Sequence, residues 1–132
     1  MNYLSVEELS KSYDEKRLFE GITFGLDQGQ KAALVGVNGV GKSTLMKILT
    51  TFIYPSQGTA KIGNHDIIER PLQVRELVGY LPENAPLYMD MRVDDYLTFV
   101  GNARGIQGAA LEKRFKWLRE ATGITPVWKH LM

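Results

Sequence analysis

The chain has 132 residues, enough for one domain with a core of its own. Its 44% hydrophobic and 23% charged residues are ordinary for a soluble globular protein. Sixteen basic against fifteen acidic residues leave a net charge of +1, which gives nucleic-acid binding no support, and the lack of cysteine excludes disulfides and thiolate metal sites.

Leu4 and Val6 alternate with Ser5 and Glu7, which predicts a short opening strand, and Ser10 to Lys16 reads as a polar turn. Ile22, Phe24 and Leu26 alternate with Thr23, Gly25 and Asp27, a half-buried strand; Asp27 to Gln30 is a turn with Gly29 suited to positive φ. Lys31-Ala-Ala-Leu-Val35 is a short apolar run expected of a buried strand. Leu45, Ile48, Leu49 and Phe52 fall at i, i+3, i+4 and i+7, one face of a helix starting near Lys42. Pro55 to Gly58 is a break, Thr59 to Gly63 a strand, and Leu77 to Leu81 a further strand ended by Pro82. After the loop from Glu83 to Asp90, two helices are expected. Val93, Tyr96, Leu97 and Val100 mark the first, with Asp94 and Asp95 in its opening turn; Leu111, Phe115, Leu118 and Thr122 mark the second, and Gly123 stops it. No apolar run approaches a membrane span, and the acidic, alternating start is unlike a signal peptide.

Between the apolar run and the helix lies Gly36-Val-Asn-Gly-Val-Gly-Lys-Ser-Thr44, which fits G-x-x-x-x-G-K-[ST], the loop that wraps backbone amides around the phosphates of a nucleoside triphosphate. Gly36, Gly39 and Gly41 allow angles closed to other residues and let the main chain, with Val37, Asn38 and Val40, come close to an anion. The following helix N-terminus adds partial positive charge. Lys42 is the cation for β- and γ-phosphate oxygens, Ser43 the hydroxyl for Mg²⁺, and Thr44 a further hydroxyl and amide near the α/β-phosphates. A bare glycine-rich turn has no use for a Lys-Ser pair at this spacing.

The order of these features resembles an ABC-type ATP-binding domain. Ser12-Tyr13, the phosphate loop continued by Leu45, Pro55-Ser-Gln-Gly-Thr59 and Val78-Gly-Tyr-Leu-Pro-Glu83 carry the match. The resemblance implies an α/β P-loop NTPase fold: an antiparallel β subdomain, a strand–P-loop–helix unit and the first helices of a helical subdomain. Residues 1–82 would be the nucleotide-binding core and β subdomain, and residues 83–132 the Q-loop position and the start of the helical subdomain. It also implies ATP and Mg²⁺ as ligands, a membrane permease contacted by the loop after Glu83, pairing of two such domains as a homodimer, and a cytoplasmic place at the inner face of the plasma membrane. Residues 1 to about 45 look like the soluble ABC-F proteins, while the chain from about Lys47 onward looks like exporter ATPases, especially the gliding-motility-associated subunit. An exporter is the expected setting; a fragment of an ABC-F-type factor and a non-catalytic P-loop protein are the alternatives.

In the family an aromatic at the position of Tyr13 stacks on adenine, and this is the expected role of Tyr13; a turn aromatic packed on the sheet is the competing reading. Glu83 stands where most members carry Gln, and a carboxylate keeps metal contact while losing the N–H donor. A solvated loop acid is the other reading of Glu83. Departing from the pattern, the chain holds no Leu-Ser-Gly-Gly-Gln signature, no apolar run ending in Asp-Glu and no switch histidine, so a truncated domain is expected that binds ATP without turning it over. Its Ala32–Val35 strand would then present an open edge, and a disordered tail could follow Gly123. His65 reads as an exposed turn residue. Trp117 and Trp128 are expected to pack helices, Tyr88 and Met89 to suit a permease contact, and Lys113, Arg114, Lys116 and Arg119, with Glu112 and Glu120 interspersed, to form a solvated face.

Overall fold

A computed structural model describes residues 2–85 and 87–132. The described chain divides into two compact units, Met1–Leu81 and Pro82–Met132.

The first unit is built on a four-stranded antiparallel sheet in the order β2-β1-β3-β4. Strands β1 (Leu4–Tyr13) and β2 (Lys16–Leu26) form a hairpin closed by Asp14 and Glu15. The polar stretch from Ser10 is therefore mostly strand, and only its last part turns. Asp14 takes the left-handed conformation, with φ of 50°, that a two-residue hairpin loop demands. Strand β3 (Gln57–Ile62) pairs with β1, Val6 facing Ala60 and Leu4 facing Ile62. The Gly63-Asn64 turn, positive in φ at both residues, leads into the short β4 (His65–Asp66), so His65 belongs to a strand rather than a turn. Asp66 is held below its usual carboxylate range: burial pushes it up, but the amides of Ile68 and Glu69 and the hydroxyl of Thr59 outweigh this.

One face of the sheet is apolar because inward residues alternate along each strand. Val6, Leu9, Ala60 and Ile62 form one buried cluster with Leu45, Ile48 and Leu49 of α1 (Lys42–Leu49). Phe52 falls beyond the helix, is 69% exposed, and meets Tyr80 edge-on at 5.8 Å. A second helix, α2 (Pro71–Leu77), contributes Val74 to the core. It occupies the approach to the expected strand at Leu77–Leu81, and residues 78–81 have no regular structure. A strand needs a partner, and among the described residues none pairs there. The same reason applies to Lys31–Val35, which is exposed and outside the sheet, with Val35 at 85% exposure. With no strand there, the open strand edge expected at Ala32–Val35 is absent, and exposed irregular backbone stands in its place.

The second unit holds α3 (Val93–Ala103) and α4 (Gly108–Thr122), around a core of Leu111, Phe115 and Trp128. Gly123, with φ of 67°, caps α4 as its position predicted. The residues after it are ordered: a 3₁₀ turn (Thr125–Val127) brings Trp128 against Phe115, ring centroids 5.1 Å apart. The final residues then run beside the start of α3. His130 and Trp128 accept from the amides of Val93 and Asp94, and Met91 accepts from Met132. The Lys129 ammonium reaches the Asp94 carboxylate at 2.5 Å and Arg92 adds a contact at 3.1 Å. Trp117 departs from expectation. It is 56% exposed and packs no core.

Candidate functional site

Residues 36–41 cross from the apolar run to α1 as an exposed loop. Two backbone angles explain its glycines. Gly39 and Gly41 have φ of 86° and 94°, a region other residues seldom adopt. At Gly41 space is also closed, since a Cβ would lie 2.8 Å from Phe19 Cδ1. The β1–β2 hairpin thus sets the height of the loop's last residue through Phe19. Sequence periodicity did not single out Phe19; its signal was the Leu18-Phe19 pair just upstream of the alternating Ile22, Phe24 and Leu26.

Lys42, the first residue of α1, folds back over the loop. Its ammonium donates to the carbonyls of Gly36 at 2.6 Å and Val37 at 2.9 Å. Leu45 N–H bonds to Gly41 O at 2.8 Å, which starts the helical ladder. The amides of Lys42, Ser43 and Thr44 precede that ladder and have no acceptor inside the helix. No side chain caps α1 and no acid stands in its first turn. A helix that begins this way carries uncompensated partial positive charge beside an ammonium. These residues fit a phosphate group: the amides supply directional donors, Lys42 supplies charge, and the glycines keep Cβ atoms out of the way.

The other predicted residues are placed less tightly. Ser43 is exposed and Thr44 half-buried, on the first turn of α1. Tyr13 ends β1, is 51% exposed, and has the Lys11 ammonium 4.8 Å from its ring centroid. Its packing on the sheet is therefore partial. Glu83 belongs to the second unit, exposed in a loop without regular structure. Among the described residues no group of three His, Asp or Glu side chains could hold a metal ion, and no helix is long and apolar enough to cross a membrane.

Residues 19–132 match the family model described as ABC transporter. The linearmycin resistance ATP-binding protein LnrL of Bacillus subtilis (strain 168) is 28% identical over 122 residues, covering 92% of this chain and 39% of that protein. The molybdate/tungstate import ATP-binding protein WtpC of Thermococcus kodakarensis is 31% identical over 126 residues, 96% of this chain and 38% of its own length. A solved structure described as an ATP binding subunit of an ABC transporter superposes with a TM-score of 0.85 at 29% identity, over 98% of this chain and 54% of the other. The chain thus spans well under half the length of these relatives and about half of that structure. Fold, phosphate-loop geometry and family model agree: the chain belongs to the ABC transporter family, in its ATP-binding domain.

Proposed function

We propose that the chain is the nucleotide-binding front portion of the ATP-binding subunit of an ABC exporter. In this reading the backbone of Gly36, Val37, Asn38, Gly39, Val40 and Gly41 surrounds the triphosphate of ATP. Lys42 exchanges the carbonyls of Gly36 and Val37 for β- and γ-phosphate oxygens. Ser43 ligates the Mg²⁺ that accompanies the nucleotide, Thr44 donates near the α/β-phosphates, Tyr13 stacks on the adenine, and Glu83 is a second contact for the metal. Residues 1–82 then serve as the nucleotide-binding core and β subdomain, and residues 83–132 as the start of the helical subdomain. The loop after Glu83, with Tyr88 and Met89 both more than half exposed, faces a membrane permease. Two such domains pair, at the cytoplasmic side of the plasma membrane.

One observation carries the reading. The Lys42 ammonium is held inside its own loop at 2.6 Å by a carbonyl, beside three helix amides with no intrahelical acceptor. Export draws its support from the resemblance of the chain from about Lys47 onward to exporter ATPases; import is the competing direction, favoured by the relative named for molybdate/tungstate import. Chemistry beyond binding needs the signature, the paired acids and the switch histidine, which the 132 residues do not include.

The test is titration of a fluorescent ATP analogue with and without Mg²⁺, in the wild-type chain and in Lys42→Ala. Weak, saturable binding that the substitution weakens about tenfold or more, with no steady-state turnover, is expected. A flat titration overturns the binding assignment. Turnover that Lys42→Ala removes overturns the claim that these residues bind without hydrolysing.

A further inference from the structure

Tyr13 is the last residue of β1, and its side chain stands largely in water. Among the described residues no hydrogen bond and no second ring holds that side chain. What it has is a cation. The Lys11 ammonium lies over the ring, 4.8 Å from the centroid. Lys11 is half-buried, and the same ammonium donates to the carbonyl of Tyr54, beyond the end of α1, at 2.8 Å. One anchored side chain therefore ties the ring to the segment that leaves the helix. Across the hairpin Lys11 pairs with Phe19, whose Cδ1 lies 2.8 Å from where a Cβ on Gly41 would stand. Residues directly opposite on an antiparallel pair share a face of the sheet, and so does Tyr13, two residues beyond Lys11. Ring, cation and the end of the phosphate loop are thus referred to one hairpin within one compact unit. The other cation nearby, Arg17, is taken up by Glu20.

We infer that Lys11 is a positioning residue for the nucleobase: it backs Tyr13 and fixes the ring before the base arrives. This role rests on the proposed stacking of adenine on Tyr13. A tyrosine at a strand end turns about two side-chain bonds, and stacking has to stop that motion. Where a cation already holds the ring, the ordering takes place on folding and is not charged to binding. The carbonyl of Tyr54 keeps the ammonium at its post, so the contact with the ring does not depend on a freely moving lysine. Lys11 covers part of the ring, and the exposed half of the residue is left for the base. In this arrangement Lys11 touches neither base nor phosphate, which separates its work from that of Lys42.

Displacement of a fluorescent ATP analogue by ATP and by inorganic tripolyphosphate tests it, because tripolyphosphate offers the phosphates without a base. The quantity read is the ratio of the two affinities, with Mg²⁺ present. Tyr13→Ala should lower the preference for ATP. Lys11→Leu should lower it about three- to tenfold, the effect of holding one side chain still in advance. Lys11→Arg, whose guanidinium stacks on a ring and donates to a carbonyl, should keep it close to the wild-type value. Circular dichroism and the affinity for tripolyphosphate itself report that the variants stay folded. An unchanged preference in Lys11→Leu beside a lowered one in Tyr13→Ala overturns the role of Lys11 and leaves the stacking in place. A preference raised by Lys11→Leu would make Lys11 a cover over the ring, and an equal loss in Lys11→Arg would make it a structural residue; either result overturns the role. An unchanged preference in Tyr13→Ala overturns the stacking and the role of Lys11 together.

Discussion

The ammonium of Lys42 donates to the carbonyl of Gly36 at 2.6 Å, so the first residue of α1 closes the loop that leads into it. Replacing Lys42 with Ala opens that closure at a half-buried place outside the core. Thermal stability is expected to change little, as for surface substitutions generally. Affinity for an ATP analogue should fall about tenfold or more, the value of a hydrogen bond to a charged group. Parallel melting and titration curves separate the two effects.

Gly41→Ala should harm folding as well as binding. The new Cβ would meet Phe19 Cδ1 at 2.8 Å, at a φ of 94° that alanine adopts only with strain. A loss of about 1–3 kcal/mol in urea unfolding is expected. Adding Phe19→Leu should recover part of it by removing the ring while leaving the dihedral strain. Full recovery would show that the contact alone was responsible.

Asp94 makes the strap formed by residues 124–132 sensitive to acid. The hydrogen bond from Lys129 leads in holding its carboxyl below the usual value of 3.8, helped by the charges of Arg92 and Lys129, against partial burial. Asp95 lies near Arg92 as well, at 3.9 Å. A carboxyl whose value is lowered by folding favours the folded form above 3.8, and that contribution fades as pH falls through the lower, folded value. Hydrogen exchange at the amides of Val93 and Asp94 should therefore quicken, relative to unstructured amides, as pH drops below about 4. In Asp94→Asn the protection should be lower at neutral pH and nearly independent of acid.

Val35→Lys should raise solubility without lowering the melting temperature. Val35 is 85% exposed and Leu34 49% exposed, in an irregular segment outside the sheet. Such a segment pairs readily with other chains, and a lysine discourages this. Light scattering against concentration is the measurement. Equal scattering by both proteins would place self-association elsewhere.

The phosphate loop, the buried stripe of α1, the acids opening α3 and the glycine closing α4 were all legible, because each depends on residues adjacent in sequence or one helical turn apart. The misreadings share a different cause. Lys31–Val35 and Leu77–Leu81 have the apolar content of strands, but a strand is completed by its neighbours, and pattern alone does not supply them. Helix α2 was missed because only Val74 in it is buried, which is too little periodicity to register, although Pro71 sits at its start where proline suits a helix. At Trp117 an exposed aromatic and a buried one look alike in sequence. In the candidate site the loop and its glycines were legible as a strand-to-helix connection, whereas Phe19 entered only through the hairpin that carries it against Gly41.

The two units begin a helix in opposite electrical conditions. At α3 the backbone carbonyls of Trp128 and His130 take up the first amides, and Asp94 and Asp95 add negative charge to the same turn. That helix end is internally neutralised, with Arg92 and Lys129 paired to the two acids, and it offers a free anion neither an open amide of Val93 or Asp94 nor an unpaired cation. At α1 no side chain caps the start, no acid accompanies it, and a lysine is added. A negatively charged solute is thereby offered one helix start and not the other, before any feature of its shape is read.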